Sequence, residues 1–391
     1  MQPFDVDELL ATARSSTCLA DFGPPDFLEG LTLLVDSVNR KGAVAESRRG
    51  ELRRYFLRLL TNRLWFARDL AEHPEIRDEE IDSPVIITSP PRTGSTKLQR
   101  ILAATGDFQS VSLWRAHMFA RIPGLPNDGI EERIRVTQQY EDWMYATSPN
   151  ILTGHPEFTH EAAEDNLLCE FTFRHPHTFG LLDAPEFSAW IQSADMQPMY
   201  DYFHLQLKYL QWQTKPATKK SWVLKTPCHF GNEHYMCKTF SNPRFVVTHR
   251  DPSTYIPSVT PTTAAYRKLY SDIDNMLSFG IEGTRYFANC AFDHIKWRDA
   301  NPEVPVLDLS FNDVTFTGTE AARKVYDFCG MAFSEQAADA IRAWEHANDR
   351  DKYGKREYSA EAMGTTDAEI RRVFQPYIDR FPGFMAPEST S

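Results

Sequence analysis

The sequence lacks several features that would assign it to a common class of protein. No apolar run approaches the roughly 18 to 20 residues that a membrane-spanning helix needs, and there is no internal repeat or low-complexity tract. Basic residues are not in excess, because 54 Asp and Glu outnumber 42 Lys and Arg and leave a formal net charge of −12. This balance argues against nucleic acid or an anionic membrane surface as the main partner.

Cysteine is also scarce. The 6 cysteines are scattered without the spacing of a metal site, so we predict reduced thiols in a reducing compartment and no bound metal. The acidic start of the chain has no basic segment followed by an apolar run, the pattern of a secretory signal. We therefore expect a cytoplasmic protein without a transmembrane segment.

The apolar content of 42% and the charged content of 25% are typical of a globular protein with a sizeable core. Runs rich in β-branched residues alternate with helical patterns, and this alternation predicts an α/β fold of the three-layer, P-loop type with a central, mostly parallel sheet. The predicted strands cover 85–88, 245–248 and 304–309, and the predicted helices cover 196–212, 277–299 and 319–329.

The first 80 residues show helical periodicity, for example at Leu52, Phe56 and Leu60. No Gly/Ser-rich linker separates this region from the strand at Val85. We therefore predict an N-terminal helical layer over residues 1–80 that belongs to the same domain. The main domain is predicted over residues 81–385, with a frayed tail over 386–391.

The segment 85–102 carries the strongest functional signal. A short strand is followed by a Pro/Gly turn and by a helical pattern, an arrangement that points free backbone N–H groups and the positive end of a helix at one spot. The segment therefore predicts an anion-binding loop. Its candidate ligand-binding residues are Arg92, Thr93, Gly94, Ser95, Thr96 and Lys97.

The details of this loop indicate which anion it binds. The loop of a nucleotide kinase or GTPase needs Gly, four residues and then Gly-Lys-Ser/Thr, but here Ser89 replaces the first Gly and Ser95 replaces the Lys. The cation has moved to Arg92 inside the turn. The loop is thus expected to bind phosphate or sulfate without a magnesium nucleotide.

Two further strand ends carry cations. Lys225 follows the apolar run Trp222–Leu224, and Arg250 follows the run 245–248, with Ser258 eight residues later. Because the carboxyl ends of parallel strands meet at one edge of a sheet, Arg92, Lys225 and Arg250 are expected to line one crevice.

The motifs Pro-Arg-Thr-Gly-Ser-Thr (residues 91–96) and His-Arg-Asp-Pro (residues 249–252) resemble those of sulfotransferases that use 3′-phosphoadenosine 5′-phosphosulfate (PAPS), in particular the bacterial ones. The resemblance extends from about residue 80 onward and includes segments 155–166, 207–212 and 352–359. It implies PAPS as the co-substrate, a hydroxyl of a small molecule or lipid as the acceptor, and no metal.

The resemblance also implies roles for individual residues. Arg92 and the loop amides are expected at the 5′-phosphate, with Lys225 at the sulfuryl group. The expected contacts to the 3′-phosphate come from Arg250, Ser258 and the C-terminal pair Lys355 and Arg356.

The general base is not given by a motif. In cytosolic sulfotransferases a His stands two residues after the sulfate-contacting Lys, but this chain has Pro227 there. Many bacterial relatives carry a Glu after a Trp, and this chain has Arg115 after Trp114. The candidates are therefore His155 first, His229 second and Glu164 third, so the predicted catalytic residues are Lys225, His155 and Arg92; His249 is expected to orient the strand end.

Two alternatives stay open at this point. A P-loop kinase would need a magnesium-binding Ser/Thr after a loop lysine, and an inactive nucleotide-binding protein of the same fold would explain the Arg at position 115. The sequence does not identify the acceptor, and it leaves a homo-oligomer open.

Overall fold

A computed structural model of the chain describes residues 3–41, 44–176, 178–215, 220–272, 276–349, 352–354 and 358–385. Within these ranges, four parallel strands form one sheet in the order β2-β1-β3-β4. This confirms the predicted α/β fold with a parallel sheet. The strands are β1 (Val85–Ile87), β2 (Val223–Lys225), β3 (Arg244–His249) and β4 (Val306–Ser310).

Helices make up most of the remaining described structure, joined by short 3-10 turns. The first half of the chain contains α1 (Val6–Thr17), α2 (Phe27–Lys41), α3 (Arg49–Glu72), α4 (Ser95–Ala104), α5 (Leu113–His117), α6 (Ile130–Thr147), α7 (Asn150–Gly154), α8 (Asn166–Cys169), α9 (Thr178–Leu181) and α10 (Pro185–Ile191). The second half contains α11 (Gln197–Thr214), α12 (Glu233–Thr239), α13 (Pro252–Arg267), α14 (Met276–Ala300), α15 (Phe311–Phe316), α16 (Gly318–Cys329), α17 (Glu335–Ala347), α18 (Asp367–Val373) and α19 (Gln375–Arg380).

The sheet is covered by helices on both faces. Val85 and Ile87 of β1 pack with apolar residues of α4, α16 and α17. Ile86, the residue between them, belongs to a second core that includes α3 and α11. Successive side chains of a strand point to opposite faces, so a fully apolar strand such as β1 must be buried on both sides.

The strand order places the switch point of the sheet at β1. In the pairing register, Ile86 lies between Leu224 of β2 and Phe245 of β3. The strand that follows β1 in sequence therefore pairs with one side of β1, and the next strand pairs with the other side. Ligands of open parallel sheets bind outside the carboxyl ends of the strands at such a point. The predicted loop follows β1 directly.

The N-terminal helices share a core with the sheet. Leu9 of α1, Leu34 of α2 and Phe56 of α3 belong to the same apolar cluster as Ile86 and Phe245. This shared core supports our proposal that residues 1–80 are a layer of the domain that continues over 81–385. The tail 386–391 lies outside the described residues. None of the helices in the described ranges combines the length and apolarity needed to cross a bilayer.

Candidate active site

The loop between β1 and α4 is held by hydrogen bonds to the neighbouring strand β3. The Ser89 hydroxyl accepts a bond from the amide of Thr248 at 2.8 Å, and the Thr93 hydroxyl lies 2.7 Å from that of Thr248. Thr93 also donates to the carbonyl of Pro90 and is fully buried. The Thr93 side chain therefore fixes the loop, and a ligand could reach this residue only through its backbone.

The loop turns sharply into α4. Arg92 has a φ of 64° and Gly94 a φ of 92°, both in the left-handed region. A side chain is disfavoured at Gly94, because a Cβ there would also lie 3.3 Å from Val314. This turn leaves the first N–H groups of α4, at Ser95 and after it, without partners inside the helix. They form the expected anion-binding end of the helix dipole.

Two arginines lie at this site, Arg92 within the loop and Arg250 after the neighbouring strand β3. The Arg250 guanidinium, after β3, donates to the backbone carbonyl of Arg92 at 2.8 Å and lies 4.1 Å from the ring centre of Phe311. Arg92 itself donates to the carbonyl of Gly154 at 2.5 Å. Both arginines line the same cavity, which has a volume of about 680 Å³. The structure thus brings two of the predicted cations together.

Lys97, in the first turn of α4, is partly committed elsewhere. Its ammonium donates to the carbonyl of Thr315 at 2.7 Å and pairs with the Glu345 carboxylate at 2.7 Å. It lines the cavity with the loop. A neighbouring carboxylate offsets its charge, so Lys97 contributes less attraction to an anion than an unpaired lysine would.

Lys225 ends β2 and faces the loop. Its ammonium donates to the Thr96 hydroxyl at 2.7 Å and forms a short contact with the Glu164 carboxylate. Only 1% of the side chain is exposed, although it lines the cavity. The neighbouring carboxylate of Asp165 accepts a hydrogen bond from the backbone N–H of Lys225 at 2.9 Å. The acidic pair Glu164-Asp165 therefore holds both the side chain and the backbone of this lysine.

The first candidate base, His155, lies beside the same carboxylate. Its Nε2 atom is 3.4 Å from Glu164 Oε1 and 3.9 Å from Glu157 Oε1. Burial lowers the pKa of His155 to about 3; Glu164 opposes this shift, whereas Lys225 and Arg92 add to it. The imidazole is thus neutral near neutral pH, and its Nε2 atom lies beside the Glu164 carboxylate.

The second candidate, His229, points away from the cavity. It is fully buried, with Nδ1 at 3.2 Å from the Tyr200 hydroxyl and Nε2 at 3.4 Å from Asp165. It is not one of the cavity-lining residues in the described part of the chain. A proton on an acceptor in the cavity is therefore out of its reach.

Arg115 also lies outside the lining of this cavity. It donates to the backbone carbonyl of Leu210 in α11 at 2.9 Å, and burial lowers its pKa to about 10. The side chain at this position therefore supports α5 and α11. The carboxylate beside Lys225 comes instead from Glu164, a residue that the sequence ranked third.

The rest of the predicted site is distributed as follows. Ser258 lines the cavity and donates its hydroxyl proton to the carbonyl of Tyr255 at 2.8 Å. His249 lies behind the strand end, bonded to Tyr377 and Asp308. Lys355 and Arg356 lie outside the described residues, although Gly354 lines the cavity. In the described ranges, no three His, Cys, Asp or Glu side chains are grouped as metal ligands.

Comparison with known proteins gives a consistent result. The sequence profile of the sulfotransferase family matches residues 84–335. The crystal structure of sulfotransferase STF1 from Mycobacterium tuberculosis H37Rv is similar, with 22% identity, a TM-score of 0.79 and coverage of 95% of this chain and 99% of that one. Sulfotransferase STF9 from Mycobacterium avium aligns over 100% of both chains with 20% identity and a TM-score of 0.83. No curated protein matches the chain. At these identities, the two structures establish the shared fold.

Proposed function

This chain belongs to the sulfotransferase family, and from that premise we propose that it transfers the sulfuryl group of PAPS to a hydroxyl of a small-molecule or lipid acceptor. The observation that carries the proposal is the meeting of Arg92, Lys225 and Arg250 in one cavity at the carboxyl ends of three adjacent strands. Such a set of fixed cations suits a donor with two separate anionic groups.

The donor half of the cavity consists of loop 88–94, the first turn of α4, Lys225, Arg250 and Ser258. In our proposal Arg92 and the amides at the start of α4 hold the 5′-phosphosulfate, and Arg250 with Ser258 holds the 3′-phosphate. The stack of Arg250 on Phe311 and its bond to the Arg92 carbonyl support this division, because they fix the guanidinium beside the loop. Lys355 and Arg356 remain predicted contacts to the 3′-phosphate.

Lys225 is proposed to stabilise the charge that develops during transfer. The bond from the acceptor oxygen to sulfur forms as the bond from sulfur to the phosphate oxygen breaks, and negative charge accumulates on the leaving oxygen. The ammonium of Lys225 lies at the hydroxyl of Thr96, next to the end of α4 that would hold that phosphate. This position suits the stabilisation of the leaving phosphate oxygen better than it suits an ion pair with Glu164 alone.

We infer that Glu164, rather than His155, accepts the proton of the acceptor hydroxyl. Both line the cavity, but of the two only the Glu164 carboxylate directly contacts Lys225, the residue proposed to lie at the transferring group. Glu164 contacts Lys225 and lies within 3.4 Å of His155. When Lys225 turns to the transferring group, the carboxylate is left facing the acceptor, with the His155 N–H to orient it.

The donor is tested by calorimetry with adenosine 3′,5′-bisphosphate and with ATP plus magnesium. We expect tight binding of the bisphosphate, weak binding of ATP, and turnover of PAPS that is unchanged in excess EDTA, because fixed cations take the place of a metal. Preference for ATP, or a strict need for magnesium, would move the assignment to the kinase class.

A further inference from the structure

Away from the donor half, the cavity is bounded by an uncharged surface that we call the apolar wall. Its residues come from α9, α13 and α14 and carry no charge. The apolar wall consists of Gly180, Val259, Thr262, Thr263, Tyr286 and Phe287. The charged residues of the described lining lie on other elements.

Two of the three hydroxyls of this wall, those of Thr262 and Tyr286, are already used within the protein. The Thr262 hydroxyl donates to the carbonyl of Ser258, one turn earlier in α13, at 2.9 Å. Tyr286 is hydrogen-bonded to Cys290, one turn later in α14. Of these six residues, Thr263 alone keeps a hydroxyl for a ligand, so a sugar or an ion placed here would lose most of its water for few bonds, and that loss is costly. The wall therefore favours an apolar body.

Gly180 leaves an opening in this wall. A Cβ built there would meet Thr263 Cγ2 at 3.5 Å, an ordinary contact, and no other described non-neighbouring atom within 4 Å. Its φ is not in the left-handed region, so its backbone conformation does not require glycine. Gly180 lines the cavity, so a longer side chain at this position would take up part of the cavity volume.

We propose that Gly180 sets the depth of the acceptor site and that the acceptor is an alcohol or phenol with an elongated, uncharged apolar body. This proposal rests on the proposed function, because it takes the acceptor hydroxyl to lie at Glu164 and Lys225. The apolar body then extends along α13 to the gap between Gly180 and Thr263.

The test uses a series of 4-alkylphenols, from methyl to octyl. Binding is measured by calorimetry with and without adenosine 3′,5′-bisphosphate, and turnover is measured with PAPS. In the natural protein we expect affinity to rise by about fourfold for each methylene group buried. In Gly180→Leu the four added carbons should fill the gap, so the affinity for octylphenol should fall by about 30-fold or more. The affinity for methylphenol should change by less than about threefold.

A matched control is available at Gly50, which is exposed on α3 and does not line the cavity; in the described part of the chain, no atom beyond its neighbours in α3 lies within 4 Å of its Cβ position. Gly50→Leu should bind the whole series as the natural protein does. If Gly180→Leu does not fold, Gly180→Ala should still shift the preferred chain length downward by one or two carbons.

The proposal is overturned if affinity does not depend on chain length, or if Gly180→Leu weakens short and long phenols equally. Failure of the proposed function looks different: the bisphosphate would not bind and PAPS would not be consumed. Alkylphenol binding would still respond to Gly180→Leu in that case, because the wall does not depend on the donor.

Discussion

The donor half and the apolar wall are built on different principles. In the donor half each functional cation is held by a specific partner: Arg250 by the Arg92 carbonyl and Lys225 by Glu164 and Thr96. The wall instead gathers uncharged side chains from the distant helix α9 and from the consecutive helices α13 and α14. Exact charge placement matters in the first region, whereas shape and volume matter in the second. Substitutions should therefore change chemistry in one half and acceptor range in the other.

The largest effect is expected at Lys225, in the donor half. Lys225→Ala should lower kcat by about two to three orders of magnitude, because it removes an interaction made mainly in the transition state. Affinity for adenosine 3′,5′-bisphosphate should change little. Steady-state kinetics and calorimetry on the same preparation test this. A large loss of nucleotide affinity with unchanged kcat would make Lys225 a binding residue instead.

Glu164→Gln is expected to have an effect of similar size. Loss of a general base typically costs about 10² to 10⁴ in rate, and the cost should be greatest for an aliphatic alcohol and least for an acidic phenol that ionises without help. His155→Gln serves as the matched comparison and should cost about tenfold, because it only orients the carboxylate. The opposite ranking of the two variants would restore His155 as the base.

Arg250→Ala tests the donor half alone. It should weaken the binding of adenosine 3′,5′-bisphosphate by about 2 to 3 kcal/mol, since a charge-assisted contact is lost. Adenosine 5′-phosphosulfate, which lacks the 3′-phosphate, should bind with nearly unchanged affinity. Equal losses for both ligands would show that Arg250 acts through the Arg92 loop and not on the 3′-phosphate. Affinity for alkylphenols should not change in either case.

The smallest expected effect concerns the charge state of His155. Its pKa in the folded protein is about 3, below its usual value, so the pH profile of kcat/KM should show no inflection from this residue near pH 6.5. Below pH 6.5 the His155 imidazole is protonated in the unfolded protein, whereas it stays neutral in the folded protein until the pH approaches 3. The contribution of His155 to the free energy of unfolding is therefore fully present above pH 6.5 and is lost as the pH falls toward 3.

The free energy of unfolding lost through His155 should reach about 2 kcal/mol near pH 5. His155→Gln should remove that share of the acid sensitivity, measured by denaturant unfolding between pH 5 and 7. An unchanged slope of stability against pH in His155→Gln would contradict the neutral, buried state of this imidazole.

Much of the fold was predictable because its signals are local. The short β-branched runs predicted β1 and β3 within one residue at each end, and the patterns at 196–212, 277–299 and 319–329 correspond to α11, α14 and α16. The loop at Arg92 and the strand ends at Lys225 and Arg250 were also recognisable, because each is a short motif with a defined local geometry.

The proposed base and the proposed acceptor surface were less predictable, because they depend on residues that are distant in sequence. Glu164 is 61 positions before Lys225, and nothing in its immediate sequence separates it from a surface carboxylate. The sequence ranked His155 before His229, and the structure shows the difference between them: His155 lines the cavity, whereas His229 is buried beside Asp165. Thr93, an expected ligand contact, directs its side chain into the protein because β3 presents Thr248 to it.

The sequence by itself determined the parallel sheet, the anion-binding turn and the cations at three strand ends, since these follow from periodicity and from contiguous motifs. Only the tertiary structure decided that Glu164 reaches Lys225, that Arg115 turns to α11, and that Gly180 opens a wall against Thr263. The physical reason is that side-chain partners across the fold are set by how helices pack on the sheet, and packing combines many weak contacts that no single segment encodes.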